Sequence, residues 1–164
     1  MSSNMNFSIR PAAREDAETI LFFIHAIADY EKLSNEVVNT AEMIREKLFG
    51  RDRVAEAILG FEGDTPVGFA VFFHNYSTFT GKPGLYLEDL FVLEEHRGKG
   101  YGKKLLLYLA RLAKERDCGR FEWVVLDWNT PAIEFYNSLG AKQMNEWIIT
   151  RVDGEQLDRL AGMG

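Results

Sequence analysis

Cysteine is nearly absent from this chain of 164 residues, and the single Cys118 excludes an internal disulfide framework or a zinc site built on several thiolates. Histidine is almost as scarce: His25, His74 and His96 share no metal-ligand spacing, so no metal is expected. No Pro- or Ser-rich linker, repeat or low-complexity tract interrupts the chain, which predicts one continuous domain over 1–164. Long apolar runs are missing too. The longest, Ile20 to Ile24 and Phe69 to Phe73, are far too short to span a bilayer, and Met1-Ser2-Ser3-Asn4 lacks the character of a signal peptide. A cytoplasmic protein without a membrane partner is expected. Basic residues are in the minority, 19 against 25 acidic, for a net charge of −6. Such a surface repels phosphate backbones and attracts cations, so no nucleic-acid partner is expected.

What is present suffices for a self-supporting core, because 46% of the residues are hydrophobic. Phe7 to Arg10 alternates and stops at Pro11, as a short strand does. Apolar residues recur at helical spacing from Asp16 to about Tyr30. Asn39 followed by Glu42 resembles a capping box opening a helix that ends near Gly50. Val54 to Phe61 and Val67 to Tyr76 read as a hairpin around Gly63-Asp64-Thr65-Pro66, followed by a polar loop over 77–84. Leu85 to Leu93 is the next strand, and Lys103 to Arg116 is an amphipathic helix. Phe121 to Leu126 is β-rich. Asn129-Thr130-Pro131 opens a helix closed by Gly140, and Glu146 to Val152 reads as a last strand. The order β-α-α-β-β-β-α-β-α-β predicts an α/β fold with a mixed central sheet flanked by helices.

Two features carry chemistry. Between a strand and a helix stands Arg97-Gly98-Lys99-Gly100-Tyr101-Gly102-Lys103-Lys104. Alternating glycines let backbone N–H groups converge, and the helix terminus and Arg97 add positive charge, a combination suited to phosphate. The spacing excludes both better-known phosphate loops. Lys104 stands where a Walker A loop has Ser or Thr, and Lys103 where the dinucleotide fingerprint has glycine. A tight turn with solvated lysines is the plainer alternative. The second feature is Glu88-Asp89, two carboxylates interrupting an apolar strand, with side chains expected on opposite faces. They read either as edge residues paired to Lys or Arg or as binders of an ammonium group.

The run Leu85-Tyr86-Leu87-Glu88-Asp89-Leu90-Phe91-Val92 with its glycine loop resembles the acetyl-CoA-binding motif of the GNAT N-acetyltransferase family. Arg97, Gly100 and Gly102 meet that family's Arg/Gln-x-x-Gly-x-Gly/Ala pattern. The resemblance covers nearly the whole chain. Ile9-Arg10-Pro11-Ala12, Tyr30-Glu31 and Trp128-Asn129-Thr130-Pro131-Ala132-Ile133-Glu134-Phe135-Tyr136 are similar to the diamine (spermidine/spermine-type) acetyltransferases and their thialysine-acetylating relatives. It implies that acetyl-CoA is bound by Leu90, Phe91, Val92, Arg97, Gly98, Lys99, Gly100, Tyr101, Gly102, Lys103 and Asn129. Tyr136 would be the general acid and Glu88 the second catalytic group. Tyr30, Glu31, Glu88, Asp89 and Trp147 would surround a small cationic amine.

A homodimer is implied as well. The stretch between Gly140 and Trp147 is shorter than in the polyamine enzymes, which leaves the length of the acceptor open. A protein or amino-acid amine as acceptor, and a non-catalytic acyl-CoA sensor, are the alternatives. Cys118 is expected to be inert, and His96 to be an exposed loop residue.

Overall fold

The computed structural model describes residues 6–164; the polar start Met1-Ser2-Ser3-Asn4, read above for targeting, lies outside them. The chain divides into two compact units, the second beginning at Val125. The first is built on a five-stranded sheet in the order β1-β2-β3-β4-β5, comprising β1 (Phe7–Pro11), β2 (Glu56–Glu62), β3 (Thr65–Ser77), β4 (Lys82–Val92) and β5 (Arg120–Trp123). The first four strands are antiparallel; short turns join β2 to β3 and β3 to β4, while α1 and α2 lie between β1 and β2. β5 lies parallel to β4 and is reached through a crossover helix, α3 (Tyr101–Glu115).

Helix α1 (Ala17–Tyr30) buries Ala17, Ile20 and Phe23, spaced as the helical period requires, against Leu59, Phe69, Val71 and Phe91 of the sheet. Phe23 stacks on Phe69 with centroids 5.1 Å apart. Helix α2 (Ala41–Phe49) adds Ile44 to the same core. Helix α3 covers the other face with Leu105, Leu106 and Leu109; full burial of one such leucine is worth about 2 kcal/mol. No helix among the described residues is long and apolar enough to cross a membrane.

Three local expectations are corrected. Thr40, not Asn39, caps α2: its backbone is extended, and its Oγ1 accepts the Met43 N–H at 3.1 Å. Asn39 instead accepts the Thr40 N–H. The polar loop after β3 shrinks to 78–81, because polar side chains do not stop backbone pairing, which continues to Ser77↔Lys82.

The third correction lies in the second unit. There α4 (Thr130–Ser138) forms as expected, with Pro131 in its first turn. Residues 141–153, however, form no strand despite Trp147-Ile148-Ile149-Thr150. β-propensity expresses packing against a paired neighbour, and here no ladder forms; the Trp147 side chain is 75% exposed. A helix the sequence reading did not anticipate, α5 (Gly154–Ala161), follows.

Candidate active site

The register of β4 decides what its carboxylates face. Val71 pairs with Asp89 but Phe72 pairs with Leu87, so Glu88 is an extra residue in β4, a β-bulge. The bulge breaks simple alternation, so the expected opposite-face placement of Glu88 and Asp89 does not follow from counting. Asp89 takes the face of Val71 and Phe91, toward α1, while Glu88 is exposed. Pairing with β5 ends at Leu87, and among the described residues of the first unit no strand continues that ladder from Glu88 to Val92. An unpaired edge offers N–H and C=O groups to an extended ligand.

α1 delivers the next acid. Its end is a Schellman motif: Leu33 N–H bonds Ala28 O at 2.8 Å, Lys32 N–H bonds Asp29 O, and Lys32 takes φ +62°. This fixes Glu31 as the cap residue, half-buried, with its carboxyl pushed above the usual range by burial. Asp89 is pushed up further, to about 6, first by burial and then by the negative charges of Glu88 and Glu31. Glu88 and Glu31 thus act on Asp89 electrostatically, and a positive charge placed beside them would offset that repulsion.

Tyr30, Phe91 and Arg97 are also brought together. The Arg97 guanidinium lies 4.8 Å from each ring centroid, and its Nε donates to Val92 O at 3.0 Å. This side chain, expected to add its charge to a phosphate site, also ties the loop to the end of β4. Gly98 and Gly100 have φ near +80°, with open space where a Cβ would stand, so glycine serves conformation here rather than crowding. Gly100 caps α3 without a side-chain bond, and the first turn holds no acid but does hold Lys103 and Lys104. Uncapped N–H donors at the positive end of a helix suit an anion, so the loop and the free β4 edge fit an extended, phosphate-bearing donor.

Lys99 and Tyr101 turn to a partner the sequence reading missed. Glu62, 8% exposed, accepts from Tyr101 Oη at 2.5 Å and from Lys99 Nζ at 3.0 Å. His96, expected to be an exposed loop residue, has a buried Nδ1 at 3.5 Å from the same oxygen. An acid at the close of a hairpin reads as a turn residue, and nothing local in the sequence sets Glu62 apart.

In the second unit Asn129 stands at the head of α4, its side chain making no capping bond. Tyr136 lies on the same helix, half-buried, with its ring 5.7 Å from that of Phe135. A second Schellman motif, from Ala141 N–H to Tyr136 O and Gly140 N–H to Asn137 O with Gly140 at φ +92°, anchors the backbone of that turn. Trp147 lies in the irregular stretch after it. In the first unit, burial pushes the Cys118 thiol up, away from the reactive thiolate form. No group of three or more His, Cys, Asp or Glu among the described residues is placed to hold a metal ion.

Comparison with known proteins agrees with this geometry. The model of the acetyltransferase (GNAT) family matches residues 20–141. The chain is 36% identical over 165 residues to a thialysine N-epsilon-acetyltransferase of Sus scrofa, covering 94% of this chain and 96% of that protein. It is 30% identical over 161 residues to the spermidine/spermine N(1)-acetyltransferase-like protein 1 of Homo sapiens, covering 92% of this chain and 23% of that one. An integron cassette protein from the mobile metagenome of V. cholerae superposes with a TM-score of 0.82 at 26% identity, covering 98% of this chain and all of that one. With a mixed sheet, a bulged and half-unpaired β4 and a glycine loop at the head of α3, the chain belongs to the acetyltransferase (GNAT) family and is an acetyl-CoA-dependent N-acetyltransferase.

Proposed function

We propose that the enzyme moves acetyl from acetyl-CoA to a primary amine of a small cationic acceptor, a diamine, polyamine or thialysine-like molecule, with 1–164 acting as one catalytic domain. The observation that carries this reading is the acidic group of Asp89, Glu88 and Glu31, in which Asp89 is held near pKa 6. A carboxylate of that pKa is mostly ionised at neutral pH, so it can bind an ammonium group and take its proton directly or through Glu88 and water. The relatives named for thialysine and for spermidine/spermine support a cationic acceptor.

In this mechanism the neutral amine nitrogen attacks the thioester carbonyl carbon. Backbone N–H groups along the unpaired stretch from Leu90 to Val92 steady the developing oxyanion. The carbon–sulfur bond then breaks, and Tyr136 donates its phenolic proton to the departing thiolate. Asn129 contacts the donor, and Trp147 offers its ring to the acceptor. The roles of Tyr136, Asn129 and Trp147 rest on the matched run from Trp128 to Tyr136 and on the aromatic at 147.

The test is thiol release from acetyl-CoA across spermidine, spermine, putrescine, thialysine, lysine and a basic peptide. Turnover is expected with a small amine, and Tyr136→Phe is expected to lower kcat by about a hundredfold or more while leaving both KM values near their original levels. Turnover confined to the peptide would overturn the small-acceptor reading. An unchanged kcat in Tyr136→Phe would remove that residue from the chemistry.

A further inference from the structure

The glycine loop is held from below by a single buried acid that the catalytic reading does not use. Glu62 ends β2, cross-strand from Phe7. Its Oε2 accepts from Tyr101 Oη at 2.5 Å and from Lys99 Nζ at 3.0 Å, and faces His96 Nδ1 at 3.5 Å. These partners lie before the loop, between its first two glycines and at the first position of α3. Phe7 completes the clasp: its ring stacks on Tyr101 with centroids 4.1 Å apart and planes within 8°. The first residue of α3 is therefore docked twice onto the β1–β2 edge, once by its ring and once by its hydroxyl.

We infer that Glu62 is a positioning residue for donor binding: it fixes Lys99 and Tyr101 so that the backbone N–H groups of the loop converge before a phosphate arrives. The inference rests on the reading that this loop holds the pyrophosphate of acetyl-CoA. It differs from a pure charge argument in sign. Lys99 is already neutralised by Glu62, so removing the carboxylate frees a positive charge beside the loop. Coulomb attraction alone then predicts tighter use of a phosphate-bearing donor. Loss of positioning predicts the reverse, because preorganised donors bind an anion only when they stay converged.

The experiment compares kcat/KM for acetyl-CoA with kcat/KM for acetyl-pantetheine, which carries the same thioester and arm without phosphates. In Glu62→Ala the preference for acetyl-CoA is expected to fall by about tenfold, the size of one lost charge-assisted hydrogen bond, while acetyl-pantetheine turnover changes little. General loss of structure would lower both donors alike. Tyr101→Phe keeps the ring stack and the Glu62–Lys99 pair and removes only the hydroxyl; it is expected to shift the ratio in the same direction. Should Glu62→Ala fail to fold, Tyr101→Phe alone decides, and an unchanged ratio there overturns the inference. A raised preference in Glu62→Ala overturns it as well. Equal use of the two donors by the unaltered enzyme would instead overturn the phosphate role of the loop, and the inference with it.

Discussion

Asp89 shows how much one residue's surroundings decide. Burial, then Glu88 and Glu31, raise its carboxyl to about 6, whereas the unfolded chain would titrate near 3.8. The native state therefore holds this proton more tightly than the unfolded state. Its contribution to stability is full below about pH 3.8 and is lost as pH rises through 6. Asp89→Asn should accordingly stabilise the fold at pH 7 by roughly 2–3 kcal/mol, with the gain disappearing near pH 4, as measured by denaturant melts at both values. Activity runs the opposite way. Amine kcat/KM should climb through pH 6 as Asp89 ionises, and Asp89→Asn should lose that limb. A wild-type profile flat between pH 5 and 7 would separate Asp89 from the amine. Glu88 and Asp89 stood out in the sequence because acids in an apolar strand are costly. Glu62 did not stand out, because its significance lies in contacts that close only when the loop folds back on β2.

At the scale of elements, local signals were legible and pairing was not. The glycine loop, the apolar stripe of α1 and the Asn-Thr-Pro start of α4 are encoded in neighbouring residues; the two helices form where expected, while α3 begins two residues early, at Tyr101, and takes in Gly102. The bulge at Glu88 depends on register against β3, which no local pattern contains. The strand expected at 146–152 failed for a related reason: Trp-Ile-Ile-Thr favours extension but does not supply a partner strand. α5 went unseen because its apolar residues, Leu157 and Leu160, are few and flanked by glycines.

The loop and its helix also make a graded prediction. Gly100 has φ +80° with open space around it, so Ala there meets only backbone strain, costing about 1–2 kcal/mol in stability. Gly102 lies within α3, with its nearest neighbours at 3.9 Å, so Ala at that position should leave stability unchanged or slightly raised. Thermal melts of the two variants measure the contrast. Equal losses would mean that the loop glycines serve space rather than conformation.

Across the whole molecule, the charge of −6 would act oppositely on the proposed cationic acceptor and on the anionic donor. A cationic amine approaches down the field of the protein, and an anionic donor approaches against it. In the proposed donor site the basic cluster has Arg97 turned to Tyr30 and Phe91 and Lys99 paired with Glu62, leaving Lys103 and Lys104 as its outward charges. Raising ionic strength shortens the reach of such fields to about 10 Å at 0.1 M. Between roughly 0.02 and 0.3 M salt, kcat/KM for a polyamine should therefore fall by about three- to tenfold, more steeply for a more highly charged acceptor. The same change should leave kcat/KM for acetyl-CoA nearly constant, because screening weakens its global repulsion and its local attraction together. Steady-state rates across a salt series, with each substrate varied in turn, make the comparison. An amine term insensitive to salt would mean that the acidic surplus acts only as a soluble surface, and that the acceptor is recognised solely by contact with Glu31, Glu88 and Asp89.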